Sequence, residues 1–330
     1  MDQQGKVLRF GAWVILFALT AKLISAGHFA WFTDALKNPN IQSFLIYIET
    51  GRNVRFSPSL EENSHTLESP PPEKGEEAAL PVFSAEDGDI AIYDTYGIAP
   101  ELGSLLEQPL TWNLRMEAPT VLILHTHATE SYTKTDENYR ESSAYRTLDE
   151  NYNMLSIGSR VADVLSQNGI AVIHDRELHD YPSYDGSYNH ARETIGYYLE
   201  RYPTIRLVLD LHRDASGDLN NQKRTVTVVD EEDVAQLMLV MGTDAGGLSH
   251  PNWRENLALG LKMQKTLEDL APGITRPVLM RTQRFNQDLC SGALLVEVGT
   301  AGNSHPEALR AAEVLAEAIV VLSRGSAKPA

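Results

Sequence analysis

The stretch IRLVLDLH, residues 205–212, is apolar at Ile205, Leu207, Val208, Leu209 and Leu211 and shows no strict alternation with polar residues. A strand of that kind has neighbours covering both of its faces, the condition met inside a parallel sheet. Its flanks fit. The preceding YNHARETIGYYLERYP (188–203) reads as a helix that Pro203 ends. Working outward, VLILH (121–125), IAVIH (170–174), TVTVV (225–229), AQLMLVMGT (235–243) and GALLVEVGT (292–300) read as further strands. Helical periodicity fills NYNMLSIGSRVADVLSQNG (151–169) and NWRENLALGLKMQKTLEDL (252–270). The segment PEALRAAEVLAEAIVVLSRG (306–325) has Pro306 in its first turn and Gly325 at its end, and ELGSLLEQPL (101–110) reads as a short helix. The alternation of strand and helix predicts an α/β fold, a doubly wound, mostly parallel sheet with flanking helices.

Composition narrows the chemistry. A formal net charge of −17 over 330 residues, with no concentrated Lys/Arg surface, argues against a nucleic-acid partner. The lone Cys290 rules out an internal disulfide and any cysteine-built zinc framework, so a metal here must be held by histidine and carboxylate.

The N-terminus has a different character. Lys6 and Arg9 precede GAWVILFALTA (11–21), and Lys22 interrupts before LISAGHFAWF (23–32). A positive flank followed by an apolar stretch directs a chain across a membrane, and without a convincing small-residue cleavage pattern residues 1–32 are expected to stay as an anchor. Residues 33–84 are then a juxtamembrane segment and acidic, Pro-rich linker centred on SPPPEKGEE (69–77). Between 51 and 90 there are nine acidic residues against Arg52, Arg55 and Lys74, a composition that cannot bury enough apolar area to offset the entropy of ordering it. The catalytic domain is expected over 85–325, with 326–330 as a tail.

Three apolar strands run into residues that can bind metal or move protons: VLILHTHATE (121–130), LVLDLHRDA (207–215) and LLVEVGTAGN (294–303). In α/β proteins the C-terminal ends of neighbouring strands line one crevice, so these segments can meet. The HTH at 125–127 places two imidazoles on opposite faces, and one site can use His127 or His125 but not both equally. His212 repeats the pattern of an apolar strand ending in histidine. A catalytic zinc takes three protein ligands and leaves a position for water. The third is expected from Glu130, Asp149 or Glu150; the last two sit just before a helix start, where a carboxylate also serves as a cap. Glu297, inside LLVEVG, has apolar neighbours whose desolvation raises a carboxyl pKa toward the range of a general acid/base. Arg213, Arg281 and Arg284 could pair with it or clamp a substrate carboxylate. Those three arginines and Asn303 are the candidate substrate-binding residues.

The segments VLILHTHATESYT, DLHRDA, RFNQDL and LLVEVGTAGN together strongly resemble the stage II sporulation protein P family of membrane-anchored peptidoglycan hydrolases, over roughly residues 85–325. The resemblance implies a fold related to zinc-dependent N-acetylmuramoyl-L-alanine amidases, whose ligands are His, Glu and His with a separate catalytic Glu. Carried over by position, His127 or His125 is the first ligand, His212 the last and Glu297 the acid/base, while the ligand Glu falls near Asp149 or Glu150. Those amidases have a Gly-rich strand end where this chain has HTHATE, which leaves the middle ligand open. The implied activity is cleavage of the amide between N-acetylmuramic acid and L-alanine, with cross-link endopeptidase activity besides, in septal peptidoglycan during engulfment. Stage II sporulation proteins D and M are the implied partners. The implied location is a single-pass cell-membrane protein with its catalytic domain outside the cytoplasm, on the mother-cell side of the septum. The same metal logic would also serve a zinc carboxypeptidase or deacetylase acting on cell wall. A non-catalytic, membrane-anchored wall-binding scaffold is the remaining alternative.

Overall fold

The computed structural model describes residues 54–57, 90–110, 112–134, 139–218 and 221–325, together with Asn38, Ile41, Gln42 and Leu45. The expected anchor over 1–32 and most of the acidic linker lie outside the described residues, as does the 326–330 tail. Among the described residues no helix is long and apolar enough to cross a membrane.

The elements, in chain order, are β1 (Val54–Ser57), β2 (Ile92–Tyr93), α1 (Leu102–Leu106), β3 (Val121–Leu124), α2 (Met154–Gln167), β4 (Val172–Asp175), α3 (Ser187–Arg201) and β5 (Leu207–Asp214). There follow β6 (Gly217–Asp218), β7 (Asn221–Gln222), β8 (Val226–Val229), β9 (Glu232–Ala235), β10 (Leu237–Gly242), α4 (Trp253–Leu270), β11 (Val278–Arg281), β12 (Ala293–Thr300) and α5 (His305–Gly325). Eight strands form one sheet in the order β1-β4-β3-β5-β12-β10-β11-β2. Five of its seven pairings are parallel, and β1 on β4 and β10 on β12 are antiparallel. The sheet is therefore largely parallel but mixed: β10, β11 and β2 run against the β4-β3-β5-β12 core. β1 lies inside the stretch read from composition as a tether, yet it pairs with β4 from Val54↔Asp175 to Ser57↔Val172.

Side-chain alternation divides the sheet into unequal faces. Leu207, Leu209 and Leu211 of β5, Leu294, Val296 and Val298 of β12, and Val121 and Ile123 of β3 point into one large core, closed by apolar residues of α1, α2, α4 and α5. The other face holds a smaller cluster, in which Leu122, Leu124, Ile173 and Val208 pack under Ala191, Ile195 and Tyr198 of α3. That face carries Asp210 and His212 of β5 and Glu297 of β12, so the polar groups occupy the thinly covered side at the strand ends. The crossover from β3 through α2 leads outward to β4, and the crossover through α3 returns across β3 to β5. The winding reverses between β3 and β5, and a crevice at the C-terminal ends of such a strand pair is where α/β folds bind ligands.

Candidate active site

β5 and β12 are parallel neighbours, and their register sets His212 opposite Glu297. Residues paired this way project from the same face. Between Glu297 and Thr300 the register shifts by an irregularity, where Gly299 adopts φ +69°. A Cβ at Gly299 would sit 2.9 Å from Asn303 Oδ1, so this turn favours glycine by conformation and by space.

From β3 the chain passes through His125, Thr126 and His127, and the two histidines part. His125 is fully buried; its Nδ1 lies 3.0 Å from the Leu211 carbonyl and its Nε2 2.9 Å from Nε2 of His174. Burial drives its pKa down to about 4. With one nitrogen on a carbonyl and the other on a second imidazole, His125 is committed to joining β3, β4 and β5. His127, on the opposite side, packs edge-on to His212 with ring centroids 5.2 Å apart and stacks on Tyr184 at 4.5 Å. Its Nε2 meets the Tyr184 hydroxyl at 3.1 Å. Burial, and next the charge of His212, lower its pKa.

Glu130 arrives on the same loop. Its Oε2 lies 3.7 Å from Nδ1 of His212 and accepts from the Arg213 amide at 3.2 Å, while Arg146 and Arg213 flank Oε1 at 3.4 and 3.5 Å. Burial pushes its pKa up, but Arg213, His212, His127 and Arg146 outweigh this and keep it below the usual carboxylate range. Nε2 of His212 lies 3.0 Å from Oδ1 of Asp210. Asp210 is anchored by the amide of Thr126 at 2.8 Å and its hydroxyl at 2.6 Å. Burial opposes a proton on His212, but Asp210, Glu130 and Glu297 prevail and lift its pKa to about 9. Glu297 is the reverse case. Desolvation outweighs the attraction of His212, with Glu130 and Asp214 adding repulsion, and raises its pKa to about 8; its Oε2 is buried without a hydrogen-bond partner.

His127, Glu130, His212 and Glu297 thus form one cluster. Asp149 and Glu150 do not join it: Asp149 binds the backbone and side chain of Asn151, and Glu150 pairs with Arg176. Both sit one turn before α2, whose Leu155 amide donates to the Asn153 side chain at 3.0 Å. The arginines differ from expectation as well. Arg213 is buried, donating to the carbonyls of Ser131 and Tyr145 at 2.9 Å each, and Arg284 is held by Asp288 at 3.2 Å and the Ser249 carbonyl at 3.1 Å. Arg281 lies on β11, beyond β10 from the Glu297 strand. Asn303 is fully buried and ties the end of β12 to Thr225 and Glu307 at 3.0 and 2.8 Å, a fold-holding role in place of substrate contact.

Several contributors escape a reading of motifs. Asp210 carried a usable signal, an acidic residue two positions before His212 and so on the same strand face. Tyr184 and Tyr188, which line a cavity of about 330 Å³ with His127, sit in a polar Gly/Ser-containing loop and helix start with no metal-like spacing. Asp180, bound to Thr129 and Arg146, gave no signal either.

Two histidines and a buried carboxylate, with a second carboxylate of raised pKa beside them, are the donor chemistry of a catalytic zinc site. Nδ1 of His212 faces Glu130, and Glu297 Oε2 is a polar atom left without a hydrogen-bond partner inside that cluster. Loading the site would exchange the His127–Tyr184 contact for a metal bond. The fold and cluster define an α/β protein with a histidine–carboxylate site at the reversal point of its sheet. The chain belongs to the stage II sporulation protein P family, whose model matches residues 46–320. It is 27% identical over 214 residues to stage II sporulation protein P of Bacillus subtilis (strain 168), covering 60% of this chain and 49% of that protein. The chain thus spans about half the length of that curated relative. Among solved structures it is similar to an N-acetylmuramoyl-L-alanine amidase from Clostridium difficile 630, at 16% identity and TM-score 0.38, covering 62% of this chain and 94% of that one. The CwlD amidase from Clostridioides difficile, solved in complex with the GerS lipoprotein, is similar at 14% identity and TM-score 0.37, covering 61% of this chain and 95% of that one.

Proposed function

We propose that this chain is a zinc-dependent peptidoglycan hydrolase that cleaves the amide between N-acetylmuramic acid and the L-alanine of the stem peptide, acting on septal wall during engulfment. The observation that carries the reading is the His212–Glu297 register on β5 and β12, with His127 and Glu130 delivered to the same crevice. His127, Glu130 and His212 would hold the ion. When bound, zinc lowers the pKa of water and polarises the scissile carbonyl.

The chain's own groups do the rest. Asp210 holds the His212 ring by facing Nε2, leaving Nδ1 turned toward Glu130. Glu297, desolvated in the crevice beside His212, accepts a proton from the attacking water at its carboxylate oxygen and returns it to the leaving amine. Tyr184 and Tyr188 wall the approach to His127, Tyr184 with its ring stacked on the imidazole and Tyr188 edge-on to it. A carboxypeptidase would need a free cation for a terminal carboxylate, and Arg213 and Arg284 are already engaged by Glu130 and Asp288. The proposal includes an N-terminal membrane anchor with the domain outside the cytoplasm and stage II sporulation proteins D and M as partners; family membership supports it. Mass spectrometry of digested peptidoglycan tests the bond: release of whole stem peptides with a free L-alanine amine is expected, and cleavage only within stem peptides overturns the reading.

A further inference from the structure

We infer that Asp175, Glu177 and His179 form a second divalent-metal site, separate from the cluster around His212. One ligand atom from each of these three residues lies within 4.8 Å of the others, and no further set of three such residues meets that closeness among the described residues. The chain builds the cluster locally. Asp175 closes β4, the Glu177 amide donates to its Oδ1 at 3.2 Å, and the turn brings His179 back so that its Nε2 is 3.6 Å from Asp175 Oδ2. The His179 side chain is 1% exposed and neither ring nitrogen has a hydrogen-bond partner. A buried imidazole left unbonded costs free energy that a metal bond at Nε2 would recover.

The donor set selects the ion. Two carboxylates balance a double positive charge, and the imidazole favours zinc over calcium or magnesium. Glu177 is exposed, giving the ion a route in from solvent. Placement gives the site a task. Asp180, the next residue, receives the Thr129 hydroxyl at 2.6 Å and Arg146 at 2.6 Å, and Thr129 lies between His127 and Glu130 on the loop of the first site. An ion at 175–179 would fasten the segment that supports that loop, a structural clip and not a participant in hydrolysis.

Zinc content of the purified full-length chain, loaded with zinc and desalted, separates this site from the proposed catalytic one. Two ions per chain are expected, falling to one in His179→Ala, in Glu177→Gln and in His212→Ala. Glu177→Gln changes an exposed side chain, so its loss of an ion cannot come from a collapsed core; the same variant should also lose part of the zinc-induced rise in melting temperature. A wild-type chain with one ion, kept by Glu177→Gln and His179→Ala but lost by His212→Ala, overturns the second site and leaves the first standing. One ion kept by His212→Ala and lost by the other two supports the second site while removing the first.

Discussion

Replacing Asp210 with asparagine tests whether a carboxylate behind His212 orients the ring for metal. The side chain keeps its shape but loses its charge, and one of its two acceptor oxygens becomes an NH2 group. Asp210 now takes the Thr126 amide at 2.8 Å and hydroxyl at 2.6 Å while lying 3.0 Å from His212 Nε2. Asparagine can satisfy only one of the Thr126 donors. Losing one hydrogen bond to a charged acceptor in a buried site costs about 1.5–3 kcal/mol, which for a domain of this size lowers Tm by roughly 3–12 °C at 2–4 °C per kcal/mol. Loss of an orienting partner weakens metal binding by about 10–100-fold. Zinc affinity read by competition with a chromophoric chelator, alongside a thermal melt of the metal-free protein, checks both. A variant that melts lower but binds zinc as tightly as wild type would confine Asp210 to the fold and refute the orienting role.

Other substitutions probe neighbouring claims. A Cβ at Gly158 of α2 would lie 2.5 Å from Nε2 of both His125 and His174, whereas one at Gly196 of α3 meets nothing within 4 Å. Gly196→Ala should therefore stabilise by about 0.5–1 kcal/mol and Gly158→Ala should destabilise by about 1–3 kcal/mol, opposite shifts that denaturant titration resolves. Lys262 is buried on α4, donating to the Leu105 carbonyl at 2.8 Å, and burial pulls its pKa down to about 8. The unfolded chain holds a proton there up to about pH 10.4, so unfolding takes up a proton between pH 8 and 10. Stability from this group rises with pH across that window by up to about 3 kcal/mol and is lost as pH falls back to 8. Urea titrations from pH 7.5 to 10 should show a rise that is absent in Lys262→Met. Glu130→Gln should lose the ion of the His212 site alone, leaving one ion per chain, while Glu150→Ala retains both, as measured by metal content after dialysis; the reverse order would return the middle ligand to the helix start.

The body of the sheet was legible because β3, β5 and β12 are apolar without alternation, and their polar ends announced the site. β9 was hidden: Glu232 and Asp233 make it look like loop, yet it forms a hairpin with β8. β1 was hidden for a similar reason, since an acidic, Pro-rich surrounding masks four residues whose pairing depends on the β4 edge being available. The direction of β10 against β12 is a tertiary property that period alone does not encode. Within the cluster, alternation separates His125 from His127 but does not say which face is the crevice, because that depends on where α3 lies. Asp149 and Glu150 drew attention through their position before a helix, and their contacts are local. Glu130 needed the pairing of its loop with Arg146 and the Arg213 amide to bring it beneath His212.

The proposed role of Glu297 is to move the proton beside a metal held by His127, Glu130 and His212. Its most direct test is Glu297→Gln, assayed on purified peptidoglycan with metal content measured on the same sample. Zinc at the wild-type level in the His212 site is expected, with release of stem peptides reduced by at least about 100-fold, the scale of a lost general acid/base. Turnover equal to wild type with zinc retained would contradict it.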